Sequence, residues 1–405
     1  MTGLCSIIVC AALLAPPDGV ASGDSARKLR FIHRQGEKYR IVTEVKEDVL
    51  INGVLSHSTD ILNKVSVDTV EASGDAGILE CRFMVSEVIK GKFKSYFLKL
   101  DYPSRFRRDG LGVFTIDGRY YMPVVRNLPR FPEGEVRPGD VWAGDGEETH
   151  DLRRGYGMEG PFRFPFSARY SYLRDEVKEG VNTAVFDVNY AVFHRVPSAK
   201  APARAVPVRI MGASKQTFWW DVGAGLMHSY IEEFDYLFLL SNGSQVEYRG
   251  TARGRLIRSA PLDRDRAAGE LAESIKKEGI DDVSIRKEEG GITLVLENVM
   301  FQPNSDELTD GERTKLGRLA GILRNFPDRD LLITGHTARV GDEASSRRLS
   351  ERRAQAVADF LISREAADRP RVVTRGMGSR EPLGDNETEA GRRRNRRVEI
   401  TILEN

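Results

Sequence analysis

The chain has 405 residues, with 61 Lys and Arg against 60 Asp and Glu and a formal net charge of +1. That length holds two or three domains with separate cores, and 40% hydrophobic with 30% charged residues excludes a disordered chain or a polytopic membrane protein. The charge balance also excludes a uniformly basic nucleic-acid binder, and the histidines at 33, 57, 150, 194, 228 and 336 form no HExxH or other close pair, which argues against a zinc hydrolase.

At the amino terminus, Leu4 to Leu14 is an apolar run of the length of a signal-peptide h-region, too short to cross a bilayer as a helix. Small residues at Gly19-Val20-Ala21-Ser22 offer a cleavage site, so residues 1–22 are read as an export signal. No Lys or Arg precedes the run, so either the free amine supplies the positive charge or translation starts upstream. A lipoprotein reading would use Cys10 as acceptor, but Val9 is bulky where a small residue is usual. Cleavage leaves Cys81 as the sole cysteine. Its place in Leu79-Glu80-Cys81-Arg82-Phe83-Met84-Val85 puts it on one strand face with Leu79, Phe83 and Val85, as a buried structural residue.

From Lys28 to about Arg258 short alternating runs lie between turn residues, as in Tyr39–Val45, Tyr96–Leu100 and Ala184–Val188. Asn242-Gly243 between two such runs predicts a type I′ hairpin. Pro129, Pro132 and Pro138, with Gly134 and Gly139, suggest a boundary. Two β-rich modules (25–128 and 129–260), or one large module with an inserted loop, fit; two are favoured. Charges interrupt the candidate strands, above all in Glu247–Arg255, so soluble sandwich- or barrel-like modules are expected rather than a transmembrane barrel. Phe218-Trp219-Trp220 and Phe234–Phe238 either fill a core or line a cleft for an apolar ligand.

Residues 262–405 read as an α/β domain with a leading helix, so the chain is multidomain. Leu262–Lys277 is helix-like, and Ile292–Leu296 a strand. Thr309 and Glu312 have capping-box spacing before the stripe Leu316, Leu319, Ala320, Leu323 and Phe326. Leu331–Thr334 is a buried strand, 335–341 a loop and Asp342–Ser363 a second helix; Val372–Thr374 and Val398–Ile402 complete the strands. The order β-α-β-α-β-β predicts a mixed sheet with helices on one face.

Phe301 and Leu308, Gly335-His336-Thr337, Gly341, Leu349-Ser350, Arg353-Ala354, Ala356-Val357, Gly376, Gly378, Gly391-Arg392 and Asn395-Arg396-Arg397-Val398-Glu399 stand in the order and spacing of one family. Over about residues 290–405 the chain resembles the OmpA-like carboxy-terminal domain, the peptidoglycan-associating module also found in OmpA, Pal and MotB proteins. The resemblance implies non-covalent binding of the peptidoglycan stem peptide at diaminopimelate. In that family an Asp directly after Gly-His-Thr holds the ligand's ammonium, and an Arg fifteen positions later holds its carboxylate. The Arg is Arg353, and a guanidinium is well suited to a carboxylate. Thr337, Ser346, Leu349, Asn395 and Arg396 are the further ligand-binding candidates, and the resemblance puts Asn395 and Arg396 beside the cleft, where they brace the loops or meet carboxylates.

The Asp position is Ala338, and a family Asn is Ser346. Losing one charged hydrogen bond costs about 1.5–3 kcal/mol, roughly 10- to 150-fold in affinity, unless Asp342 or Glu343 supplies the charge. An altered stem peptide, weak binding of ordinary peptidoglycan, or another partner would each fit. His336 either touches ligand or holds the turn. Arg392–Arg394 with Arg396 and Arg397 look like a nucleic-acid patch in isolation, but no aromatics are interleaved there and no nucleic-acid partner is expected.

The leading expectation is a non-enzymatic cell-envelope structural protein of the periplasm or outer-membrane surface. It would bind peptidoglycan with altered or weakened specificity, its β modules meeting envelope proteins or lipid. The alternative is a periplasmic binding protein whose β modules hold an apolar ligand or envelope partner, its OmpA-like domain having lost peptidoglycan binding. No catalytic residue, metal site or cofactor is expected.

Overall fold

The computed structural model describes residues 26–88, 93–196, 205–288, 290–297, 299–302, 305–339 and 342–404. The expected export signal and Cys10 lie outside the described residues.

In the amino-terminal region, strands β1 (Lys38–Ile51), β2 (Val54–Ser73), β3 (Ala76–Glu87), β4 (Tyr96–Arg108), β5 (Phe114–Ile116), β6 (Val125–Arg126) and β7 (Val141–His150) precede a short helix α1 (Arg153–Tyr156). Strands β8 (Phe162–Lys178), β9 (Val181–Arg195), β10 (Pro207–Asp221), β11 (Leu226–Leu240) and β12 (Gln245–Ile257) follow. Each pairs antiparallel with its chain neighbour except across β5 to β6, and β1 also pairs with β12 from Arg40↔Ile257 to Ile51↔Val246. The spatial order is therefore β5-β4-β3-β2-β1-β12-β11-β10-β9-β8-β7-β6. Alternation builds it: on β8, Phe164, Phe166, Ala168, Tyr170 and Tyr172 are buried, while Pro165, Ser167 and Arg169 between them are exposed.

The boundary expected at residues 129–139 divides neither sheet nor core. One apolar cluster takes Tyr39, Val67 and Phe83 from one side of it, and Tyr170, Phe186 and Trp220 from the other. The structure therefore has the single-module arrangement. The Pro-rich segment is an inserted loop whose Phe131 fills the core, 4.8 Å between ring centroids from Trp220, with Phe31 at 4.7 Å from the same ring. Phe218 and Trp220 are core residues, whereas Trp219 faces the other way under Lys178, whose ammonium lies 3.2 Å from the ring centroid. Cys81 is buried, as its strand position predicts.

The Asn242-Gly243 hairpin forms with a different turn. Only Gly243 has positive φ (84°), and Leu240 bonds both Ser244 and Gly243, which is a three-residue loop closed by a left-handed glycine. The type I′ requirement of two positive φ angles is met at Asn52-Gly53 (52° and 77°), between Ile51 and Val54.

The carboxy-terminal domain comprises α2 (Arg264–Lys277), β13 (Val283–Glu288), β14 (Gly291–Glu297), α3 (Asp310–Leu323), β15 (Leu331–His336), α4 (Glu343–Ser363), β16 (Val372–Gly378), α5 (Glu389–Asn395) and β17 (Arg397–Leu403). The expected β-α-β-α-β-β order omitted β13 and α5. The first has only Val283 and Ile285 as apolar signals, and the second is a seven-residue arginine-rich turn capped by Thr388. The sheet runs β13-β14-β17-β15-β16, antiparallel except for the parallel β15–β16 pair. Ile292, Leu294, Leu331, Ile333, Ile400 and Ile402 share one core with the apolar stripes of α2, α3 and α4, so these helices lie on one face. Thr309 caps α3 by accepting from the Glu312 N–H at 3.4 Å, but Glu312 accepts from Met300 N–H rather than from Thr309.

The two domains share a built interface. The β4 and β16 strands pair in parallel at Tyr96↔Val373 and Phe97↔Thr374, and Val42, Leu62, Tyr96, Leu98, Leu332 and Val373 form a joint apolar cluster. The Asp359 carboxylate accepts from the N–H groups of Lys94 (2.9 Å) and Ser95 (2.8 Å). Buried Asp330 is paired with Arg40, and with Lys64 at 2.9 Å.

Candidate functional site

Glycines let α4 lie directly on the ends of β15 and β16. A Cβ on Gly335 would stand 2.1 Å from the Ser350 carbonyl, and one on Gly376 would stand 2.3 Å from Glu351 Cγ. Ser350 fastens this contact by accepting from Gly378 N–H (2.9 Å) and donating to the Arg347 carbonyl (2.7 Å). The Thr337 N–H donates to the Gly378 carbonyl at 2.9 Å, which holds the loop after β15 against the end of β16.

On this scaffold Arg353 emerges from α4 half-buried, its guanidinium 4.7 Å from the Phe301 ring centroid. Its Nε is buried without a hydrogen-bond partner, and among the described residues it has no ion pair. Burial lowers its pKa, and the charges of Arg396 and Arg352 lower it further, against Asp306. A cation so placed, stacked on an aromatic face and repelled by a second guanidinium, has the chemistry to receive an anion.

The remaining expected residues divide by role. Ser346 is buried on the same helical stripe, with Leu349 half-buried beside it. Thr337 is buried, with its Oγ1 unpartnered. Arg396 donates to Glu389 at 2.6 Å and adds positive potential around Arg353. Asn395 is a brace: its Oδ1 accepts from Leu383 N–H (2.7 Å) and Gly384 N–H (2.9 Å), and its Nδ2 donates to the Gly384 carbonyl and Asn386 Oδ1. Its hydrogen-bonding capacity is spent on the loop, so of its two expected roles the contacts serve bracing. Asn386 Oδ1 also accepts from Arg339 N–H at 2.9 Å and so ties this loop to the one after β15.

His336 is 2% exposed and points to the opposite face, 3.5 Å from Glu399. Although burial alone would raise it, the Glu399 carboxyl is held at about 2 by His336 and Arg397. Ala338 is buried. Neither carboxylate nearby in sequence is free to replace the missing Asp: Asp342 caps α4 by accepting from Ser345 N–H at 2.8 Å, and Glu343 pairs with Arg380 at 2.5 Å. Sequence reasoning quoted Phe301 but gave it no role, and it missed Asn386. Phe301 precedes α3 and reaches Arg353 only through the tertiary fold. Among the described residues no group of three His, Cys, Asp or Glu side chains could hold a metal, and no helix is long and apolar enough to cross a membrane.

The OmpA family matches residues 300–396. The outer-membrane lipoprotein YfiB of Pseudomonas aeruginosa is 37% identical over 117 residues, 29% of this chain and 68% of that protein. Outer membrane porin F of the same organism is 34% identical over 105 residues, 26% of this chain and 30% of the porin. The peptidoglycan-binding protein ArfA of Mycobacterium bovis is 36% identical over 104 residues, 26% of this chain and 32% of that protein. The chain thus spans about a third of the porin's length and of ArfA's.

Proposed function

Because the chain belongs, through its carboxy-terminal domain, to the OmpA family, we propose that it is a cell-envelope protein, periplasmic or outer-membrane-associated, that binds peptidoglycan non-covalently. The observation that carries this reading is Arg353: stacked on Phe301, unpaired, and backed by Arg396. A stem-peptide carboxylate supplies the absent anion. The role is structural rather than enzymatic, and the β-rich module meets envelope proteins or lipid.

The specificity is altered. With Ala338 buried and Asp342 and Glu343 engaged, neither sequence neighbour offers a ligand ammonium the missing carboxylate. Binding then rests on the carboxylate end of the ligand. The test is co-sedimentation of the full chain with purified sacculi, comparing wild type, Arg353→Ala and Ala338→Asp. Arg353→Ala should weaken binding by about tenfold or more, the worth of one charge-assisted bond. Ala338→Asp should strengthen binding to walls with a free diaminopimelate ammonium. Wall binding that ignores Arg353 would sink the assignment.

A further inference from the structure

The concave side of the amino-terminal sheet is not fully sealed. Between β1–β4, β10, β11 and the loop at 122–129 lies a cavity of about 530 Å³, within the range of small-molecule sites. Its walls mix aromatic side chains, among them Phe83, Phe218 and Trp220, with aliphatic ones, of which Ile41, Ile61, Val65, Val85, Leu100 and Leu128 are each only half-buried. Side chains of this kind, left partly accessible inside a module, hold apolar surface ready for a ligand to cover.

The lining runs along β2 from Ile61 to Val65, about 14 Å at roughly 3.4 Å per residue. It also takes in Arg108 of β4, which reaches the Tyr39 hydroxyl. Arg108 is 9% exposed and its guanidinium lies 3.8 Å from the Phe31 ring centroid. Its two hydrogen bonds go to neutral groups, Tyr39 Oη and His33 Nε2, both at 3.3 Å. His33 is an acceptor because burial and Arg108 hold its pKa at about 4. Among the described residues no carboxylate pairs with Arg108. The acidic groups lining the cavity are engaged elsewhere: Asp151 with Arg153, and Glu232 with Ser214 and Gln216. Near the middle, Asn63 Oδ1 is buried without a partner. A buried cation without an anion is costly, and here it lines a largely apolar cavity.

We propose that this cavity binds a single-chain amphiphile, an aliphatic chain ending in an anionic head, with the chain along β1 and β2 and the head on Arg108. The reading concerns a different domain from the wall-binding site and does not depend on it. Carboxylate and phosphate heads share the chemistry that Arg108 recognises.

The test is titration of the full chain with cis-parinaric acid, read by probe fluorescence and by energy transfer from Trp220 on the cavity wall. Wild type should bind about one probe per chain. Arg108→Gln should bind at least about tenfold more weakly, while Arg353→Ala, which lies outside this site, should bind as wild type does. Val65→Trp, which fills the cavity, should abolish binding, with circular dichroism confirming that each variant is folded. Displacement by palmitate or by 1-palmitoyl lysophosphatidate, each stronger than by hexadecanol, identifies the head as carboxylate or phosphate. Absence of saturable binding, equal affinity in Arg108→Gln, or displacement by hexadecanol as strong as by either anion would overturn the proposal.

Discussion

Single residues carry measurable consequences of burial. Glu47 sits on β1 where burial, then the charge of Glu87, pushes its carboxyl up to about 7. In the unfolded chain it ionises near its ordinary value of 4.5, so native stability is lost as pH rises from 4.5 through 7. Glu47→Gln should therefore raise the melting temperature at pH 8 and leave it unchanged at pH 4, as calorimetry would show. Burial also pushes the Cys81 thiol up to about 12, so iodoacetamide should label it only after denaturant unfolds the chain. The strand face of Cys81 was legible from neighbours two residues apart, a short-range pattern. The unpaired state of Arg108 was not, because it depends on which carboxylates the fold leaves out of reach.

At the scale of elements, caps and braces decide how the loops around Arg353 are held. Asn395 ends α5 and satisfies both Leu383 and Gly384 N–H groups. Asn395→Ala should destabilise the domain by about 3 kcal/mol through unsatisfied buried groups. It should also weaken sacculus binding less than Arg353→Ala does, since Asn395 acts through the loop. The α3 and α4 helices were legible because an apolar stripe and an N-cap are local. Strand β13 escaped notice as an edge strand with two apolar residues, and the turn at Asn242-Gly243 was legible as a hairpin but not in type, because loop length followed from pairing register. The Gly335 and Gly376 positions were quoted for their spacing, but the need for glycine appears only where α4 closes on the strands.

Across the whole molecule, the buried Asp330 cluster and the β4–β16 pairing join domains that the sequence suggested were independent. A protease site inserted between Arg258 and Leu262 should, once cut, leave both halves co-eluting in gel filtration. Asp330→Asn strands Arg40 and Lys64 without their counterion, at a cost of about 3–5 kcal/mol, and the halves should then separate. The single β module was hidden from sequence reasoning for a related reason: the pairing that unites it, β1 with β12, joins segments about two hundred positions apart in the chain, beyond any local pattern. That seam also sets a timetable. As the chain emerges from its amino terminus, β1 can zip onto β2 at once, but its other edge has no partner until β12 has been made. Closure is therefore a late, long-range event and intrinsically slow. Until then the β1 edge is open to pairing with another chain, so the interval before residue 257 arrives is when this protein is most exposed to aggregation.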